Sequence, residues 1–226
     1  NSLAQFFACY VNAKESEGEE MWEKSYQQVL GMIDRMEEEC GKCPDIRIAK
    51  NASQIRENQR EGRISAVLTV EEGGVLNGKP ERIRTLYEKG IRLITLTWNY
   101  ENCLGAPNSR DASVMEKGMT EFGIRTVGEM NRLGMLIDVS HLSDGGFWDC
   151  IRCSDKPVIA SHSNARALCP HPRNLSDAML RALAEKGGVA GLNFYPVFLK
   201  EQADQVSLQD LARHAKYMIE TAGEDL

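Results

Sequence analysis

Hydrophobic positions along the chain follow two rhythms. Trp22, Tyr26, Val29, Leu30, Ile33 and Met36 recur every three to four residues, which predicts an amphipathic helix over about 15–39 with its acidic side chains in solvent. The second rhythm is short apolar runs, each followed by a further helical pattern. Residues 46–49, 64–70, 93–97, 135–139, 157–160 and 188–194 read as strands. Helices are predicted over about 52–61, 80–89, 119–133, 143–153, 177–186 and 208–221. Pro80 suits a first turn, Gly134 a helix stop and Ser176 an N-cap. A long polar loop fills 98 to about 116.

The cores of the six strands are apolar rather than cleanly alternating, as expected for a parallel sheet covered by helices. A (β/α) barrel and an open doubly wound sheet both fit this α/β pattern. Neither a GxGxxG fingerprint nor a P-loop is present, which weakens the nucleotide-binding version. No linker or composition shift divides the chain, so 1–226 is expected to be one domain.

Composition narrows the function. With 42% hydrophobic and 27% charged residues, the 226-residue chain reads as a folded globular protein. No apolar run approaches the roughly 18 residues of a membrane span. There are 27 Lys+Arg against 33 Asp+Glu and no basic patch, which argues against nucleic acid. The seven cysteines are odd in number and sparse. Cys40-x-x-Cys43 and Cys150-x-x-Cys153 lie too far apart for a compact zinc ribbon, so reduced thiols in a cytoplasmic setting are expected. The first residues, Asn1-Ser-Leu-Ala-Gln, are neither a signal peptide nor a start Met.

Candidate chemistry gathers at strand ends. Glu72 follows the 64–70 strand, His141 the 135–139 strand and His162 the 157–160 strand. Functional groups of α/β barrels sit at these C-terminal ends, and one carboxylate with two imidazoles suits Zn²⁺ or a similar ion. A single histidine after a strand is usually just a polar loop residue. Two of only four falling at equivalent positions is harder to dismiss.

These residues carry a resemblance. The segment Asn131-Arg-Leu-Gly-Met-Leu-Ile-Asp-Val-Ser-His141 resembles the region of one zinc-binding histidine in the membrane (renal) dipeptidase family. Pro157-Val-Ile-Ala-Ser-His162-Ser-Asn-Ala-Arg-Ala-Leu-Cys-Pro-His-Pro-Arg173-Asn resembles the region of the second. Glu71-Glu72-Gly73-Gly74 is similar to the turn bearing the family's metal-bridging glutamate, and Glu72 is taken for it because it immediately precedes the glycine pair. The resemblance implies a TIM-type (β/α) barrel and a binuclear zinc hydrolase of dipeptides, in which a metal-activated hydroxide attacks the peptide carbonyl. It implies Glu72, His141 and His162 as metal ligands and catalytic centre. Arg173, eleven positions after His162, would grip the substrate's terminal carboxylate, which a guanidinium fork does in two places.

Two departures stand out. Trp98 replaces a histidine of the renal-type enzymes, so Trp98 is expected to wall the pocket and Asn99 or Tyr100 to serve the oxyanion. The His-x-Asp pair that binds the second metal is absent, and Gly223-Glu-Asp-Leu226 ends before the strand expected to carry a proton-handling aspartate, with Asp225 out of place for it. Six strands, where a closed barrel needs eight and about 250 residues, imply a barrel incomplete at both ends. Such a chain alone is expected to have little or no activity. His171, His214 and Asp138 are expected to be structural or solvent-facing. Two rival readings are another metal-dependent amide hydrolase and a non-catalytic barrel scaffold. A homodimer is compatible with the sequence.

Overall fold

The computed structural model describes residues 3–12 and 18–224. The expected helix start at 15 and Asp225 lie outside them. In chain order the elements are β1 (Ala4–Tyr10), α1 (Gly18–Lys42), β2 (Ile46–Ile48), α2 (Ala52–Arg60), β3 (Ile64–Glu71), α3 (Glu81–Glu88), β4 (Ile91–Thr95) and α4 (Ala112–Met115). Then come α5 (Glu121–Leu133), β5 (Leu136–Asp138), α6 (Asp144–Cys153), β6 (Val158–Ala160), α7 (Asp177–Glu185), β7 (Val189–Ala190) and α8 (Leu208–Ala222).

All pairings are parallel, in the order β1-β3-β4-β5-β6-β7, and the sheet curls into a half-barrel. β3 is the hub. β1 runs along one edge from Ser65 to Glu71, while β2 and then β4 share the other edge, with a register shift at Leu68/Thr69.

Seven strands are present among the described residues rather than the six expected. The additional one is β1, whose Ala-Gln-Phe-Phe-Ala-Cys-Tyr sequence does not alternate and whose Phe6 and Tyr10 remain exposed. The strand expected over 188–194 is paired only at Val189–Ala190.

Local sequence explains the frame. α1 buries Trp22, Tyr26, Val29 and Ile33 on one face, each worth about 1.5–3 kcal/mol over exposure. Thr120, Ser143 and Ser176 cap α5, α6 and α7 by accepting from the N–H of the residue three positions on. Gly134 ends α5 at φ 74, in the left-handed region that favours glycine. Val70, Ile94, Leu96, Ile137 and Val158 are buried in the core, so the strand ends are held rigidly.

Candidate metal centre

Three strand ends converge. Glu71 is the last residue of β3, His141 lies three residues beyond β5, and His162 two beyond β6. His141 Nε2 is 2.9 Å from His162 Nε2 and 3.4 Å from Glu71 Oε1, and His162 Nε2 is 3.8 Å from the same oxygen. Ligand atoms on a tetrahedral ion, with bonds of about 2.0–2.1 Å, lie roughly 3.3 Å apart. The triangle therefore fits one divalent ion, and these three residues form the candidate metal site among the described residues.

The structure brings Glu71, rather than the expected Glu72, to the two histidines. Glu72 is fully buried but turned away, capping the turn Gly73–Leu76. Its Oε1 accepts from Gly74 N (3.2 Å) and from Asn102 Nδ2 (2.9 Å). Asn102 also donates to the Leu96 carbonyl (2.9 Å), tying this carboxyl to the end of β4. Gly74 allows the cap because a Cβ there would meet the Trp22 ring and lie 2.5 Å from Glu72 Oε1. Sequence reasoning weighed Glu71 but missed Asn102. Asn102 lies 30 positions from Glu72, so no local spacing signals that contact.

His141 adopts φ 69, a left-handed conformation uncommon outside glycine. Asn108 holds it there, donating its backbone N–H (2.7 Å) and its side-chain amide (2.9 Å) to the His141 carbonyl. Such outliers persist where surrounding structure enforces them.

The electrostatics suit a cation. Burial pushes His141 well below the ordinary imidazole range, helped by Arg173 and His162. Burial also lowers His162, with the Asp138 carboxylate opposing. Neutral imidazoles are the form that binds metals. Burial lifts the Glu71 carboxyl to about 7, with Asp138 adding to the lift and Arg173 opposing it. Burial raises Glu72 to about 7 as well, against the hydrogen bonds from Asn102 and Gly74.

Arg173 lies beside this centre with 6% of its surface exposed. Its guanidinium donates to the His162 carbonyl (3.1 Å) and to Ser163 Oγ (3.4 Å), and stacks over Phe198 at 5.5 Å. Nε is buried without a protein partner, and burial lowers the side chain to about 10. The Trp98 ring lies 6.2 Å from that of His141, 5.1 Å from that of Tyr10 and 6.3 Å from that of Tyr100. Asn99 is exposed. His171 packs 4.6 Å from Phe198, and His214 is fully buried. All seven cysteines are free. Among the described residues no helix is long and apolar enough to cross a membrane.

Known proteins are similar to this chain in sequence and in fold. An uncharacterized dipeptidase of Schizosaccharomyces pombe is 36% identical over 167 residues, 73% of this chain but only 40% of the relative. The crystal structure of dipeptidase AC, a metallopeptidase of family M19, superposes with a TM-score of 0.88 at 28% identity, covering 98% of this chain and 69% of that one. A metallopeptidase from Rhodobacter sphaeroides, bound to a phosphinate mimic of the dipeptide L-Ala-D-Ala, superposes at 0.85 with 26% identity, covering 97% and 70%. The family model for membrane dipeptidase matches residues 2–226. The chain belongs to the membrane dipeptidase family of metallopeptidases, family M19.

Proposed function

We propose that this chain carries the metal centre of a zinc-dependent dipeptidase. The observation that supports it best is the Glu71–His141–His162 triangle, sized for one ion and set beside the buried guanidinium of Arg173. Zinc, when bound, supplies an activated water near neutral pH and polarises a carbonyl. Glu71 contributes the anionic ligand and the two histidines neutral ones. In the resemblance Glu71 then takes the bridging part first given to Glu72.

Arg173 receives the terminal carboxylate of the substrate. Its planar guanidinium is a fork that grips a carboxylate with two parallel hydrogen bonds. This fixes a dipeptide so that its one peptide bond faces the metal, whereas an internal bond of a longer peptide has no carboxylate at that distance. Trp98 and Tyr100 exclude water on the other side. The Rhodobacter enzyme's ligand supports a dipeptide substrate, including one with a D-residue in second place.

Zinc titration followed by binding of a phosphinate dipeptide mimic tests the reading. The expected result is zinc-dependent binding that is lost when the mimic's carboxylate is amidated. Zinc-independent binding, or equal binding of the amidated compound, overturns it. A panel of dipeptides against other amides separates the dipeptidase from the alternative, a related metal-dependent amide hydrolase.

A further inference from the structure

Behind the histidine pair lies a buried polar chain that metal binding alone does not account for. Asp138, the last residue of β5, is fully buried and accepts four hydrogen bonds. Oδ1 takes the backbone N–H of Ser140 (3.0 Å) and of Ser161 (2.9 Å). Oδ2 takes the hydroxyls of Thr95 (2.7 Å) and Ser161 (2.5 Å). One carboxylate thus ties together the ends of β4, β5 and β6.

The polarity of this chain has a direction. Backbone N–H groups only donate, and a carboxylate only accepts. The single Ser161 hydroxyl proton therefore points to Asp138. Ser161 Oγ then offers only lone pairs to His162 Nδ1, 2.7 Å away. Ser140 agrees with this order, since its Oγ accepts the backbone N–H of His162 (3.1 Å) and has its own proton free for Ser161 Oγ (3.4 Å).

We infer that Asp138, acting through Ser161, is a positioning device that fixes His162 as the Nδ1–H tautomer, with the Nε2 lone pair directed at the metal site. A histidine ligand commonly donates its other ring N–H to a carboxylate or carbonyl, which sets ring orientation and raises ligand basicity. Here a serine hydroxyl stands between ring and carboxylate, so removal of one oxygen atom disconnects them. The proposal rests on the metal reading for its purpose, but the tautomer exists with or without an ion.

The test is therefore run in two arms on the full chain. Long-range ¹H–¹⁵N correlation spectra of the metal-free protein read the tautomer of each of the four histidines, assigned by single-histidine variants. Wild type is expected to show His162 protonated at Nδ1, Ser161→Ala to lose that preference, and Ser161→Thr to restore it. Zinc affinity of Ser161→Ala is expected to fall about 10–100-fold, with recovery in Ser161→Thr. A wild-type His162 protonated at Nε2, or a Ser161→Ala protein that keeps the Nδ1–H form, overturns the inference. A wild type that binds no zinc yet shows the expected tautomers overturns the metal reading and leaves the positioning chain standing. Loss of the melting transition in Ser161→Ala would assign the serine to folding, against the inference. Asp138→Glu then provides the second variant, expected to weaken zinc binding while Thr95 and Ser161 remain.

Discussion

The sharpest discrimination lies between two adjacent carboxylates. Glu71→Gln removes the anionic member of the triangle, leaving two neutral imidazoles and an amide oxygen. Loss of a residue that merely supports a ligand costs about 10–100-fold in affinity, so loss of the charged ligand should cost at least about 100-fold, or roughly 2.7 kcal/mol. Glu72→Gln keeps an oxygen for Gly74 and Asn102, but places an amide N–H where Oε2 now sits buried without a partner. An unpaired buried donor costs about 1–3 kcal/mol, which for a domain this size lowers Tm by about 2–4 °C per kcal/mol. The two variants should therefore separate cleanly. Glu71→Gln loses zinc and nearly keeps its apoprotein Tm, whereas Glu72→Gln loses Tm and binds zinc within about threefold of wild type. Calorimetric zinc titration and thermal melts of the apoproteins read both quantities. Equal loss of zinc affinity in the two variants would refute the assignment of Glu71.

Further outcomes follow from single contacts. Gly123 of α5 packs so closely on the Leu104 carbonyl that a Cβ would overlap it; Gly123→Ala should destabilise by about 1–3 kcal/mol, although Ala in a free helix gains about 1 kcal/mol over Gly, so a raised Tm refutes the close approach. His214 of α8 accepts from Ala165 N (3.1 Å) and donates to the Leu199 carbonyl (3.0 Å); His214→Leu leaves both unpaired and should cost about 1–3 kcal/mol for each in a thermal melt, an unchanged Tm counting against it. Hydrogen bonds from Lys79 and Arg82 hold the Glu23 carboxyl down to about 2, below its unfolded value of about 4.3. Its stabilisation is full above that unfolded value and is lost as pH falls toward about 2. The Tm gap between wild type and Glu23→Gln should accordingly close between pH 5 and pH 2.5, and a gap constant across that range would argue against the ion pairs.

Much of the site could be read from sequence because two of its parts stand directly after apolar runs. Val-Ile-Ala before Ser161-His162 and Leu-Ile-Asp before Val139-Ser140-His141 place a polar residue where a buried strand opens into its loop. The same runs conceal which side of a strand faces the site, because strands covered on both faces are buried at nearly every position. β3 is of this kind, with even Ser65 and Thr69 buried, so alternation could not choose between Glu71 and Glu72. The glycine pair pointed to Glu72, yet those glycines serve its capping turn. β1 escaped notice for the opposite reason: its aromatic residues are half in solvent and show no period. The tie from Asp138 through Ser161 joins residues 23 positions apart, and no local pattern announces a contact made only when β5 and β6 lie side by side.

The order of the ligands along the chain has a consequence for how the metal and the fold meet. Glu71 belongs to β3, while His141 and His162 follow β5 and β6, with β4 lying between. No two of these three residues lie within one short peptide, unlike the ligands of a zinc finger, whose ion organises a local loop. The ion can only be captured once four neighbouring strands are in register, so it cannot initiate their assembly. On the proposed reading, a bound ion would act afterwards as a rivet across the strand ends, adding about 2.7 kcal/mol when free zinc is a hundredfold above Kd. Metal removal should then leave a folded but more readily opened sheet, loosening first where β5 and β6 lean on β4.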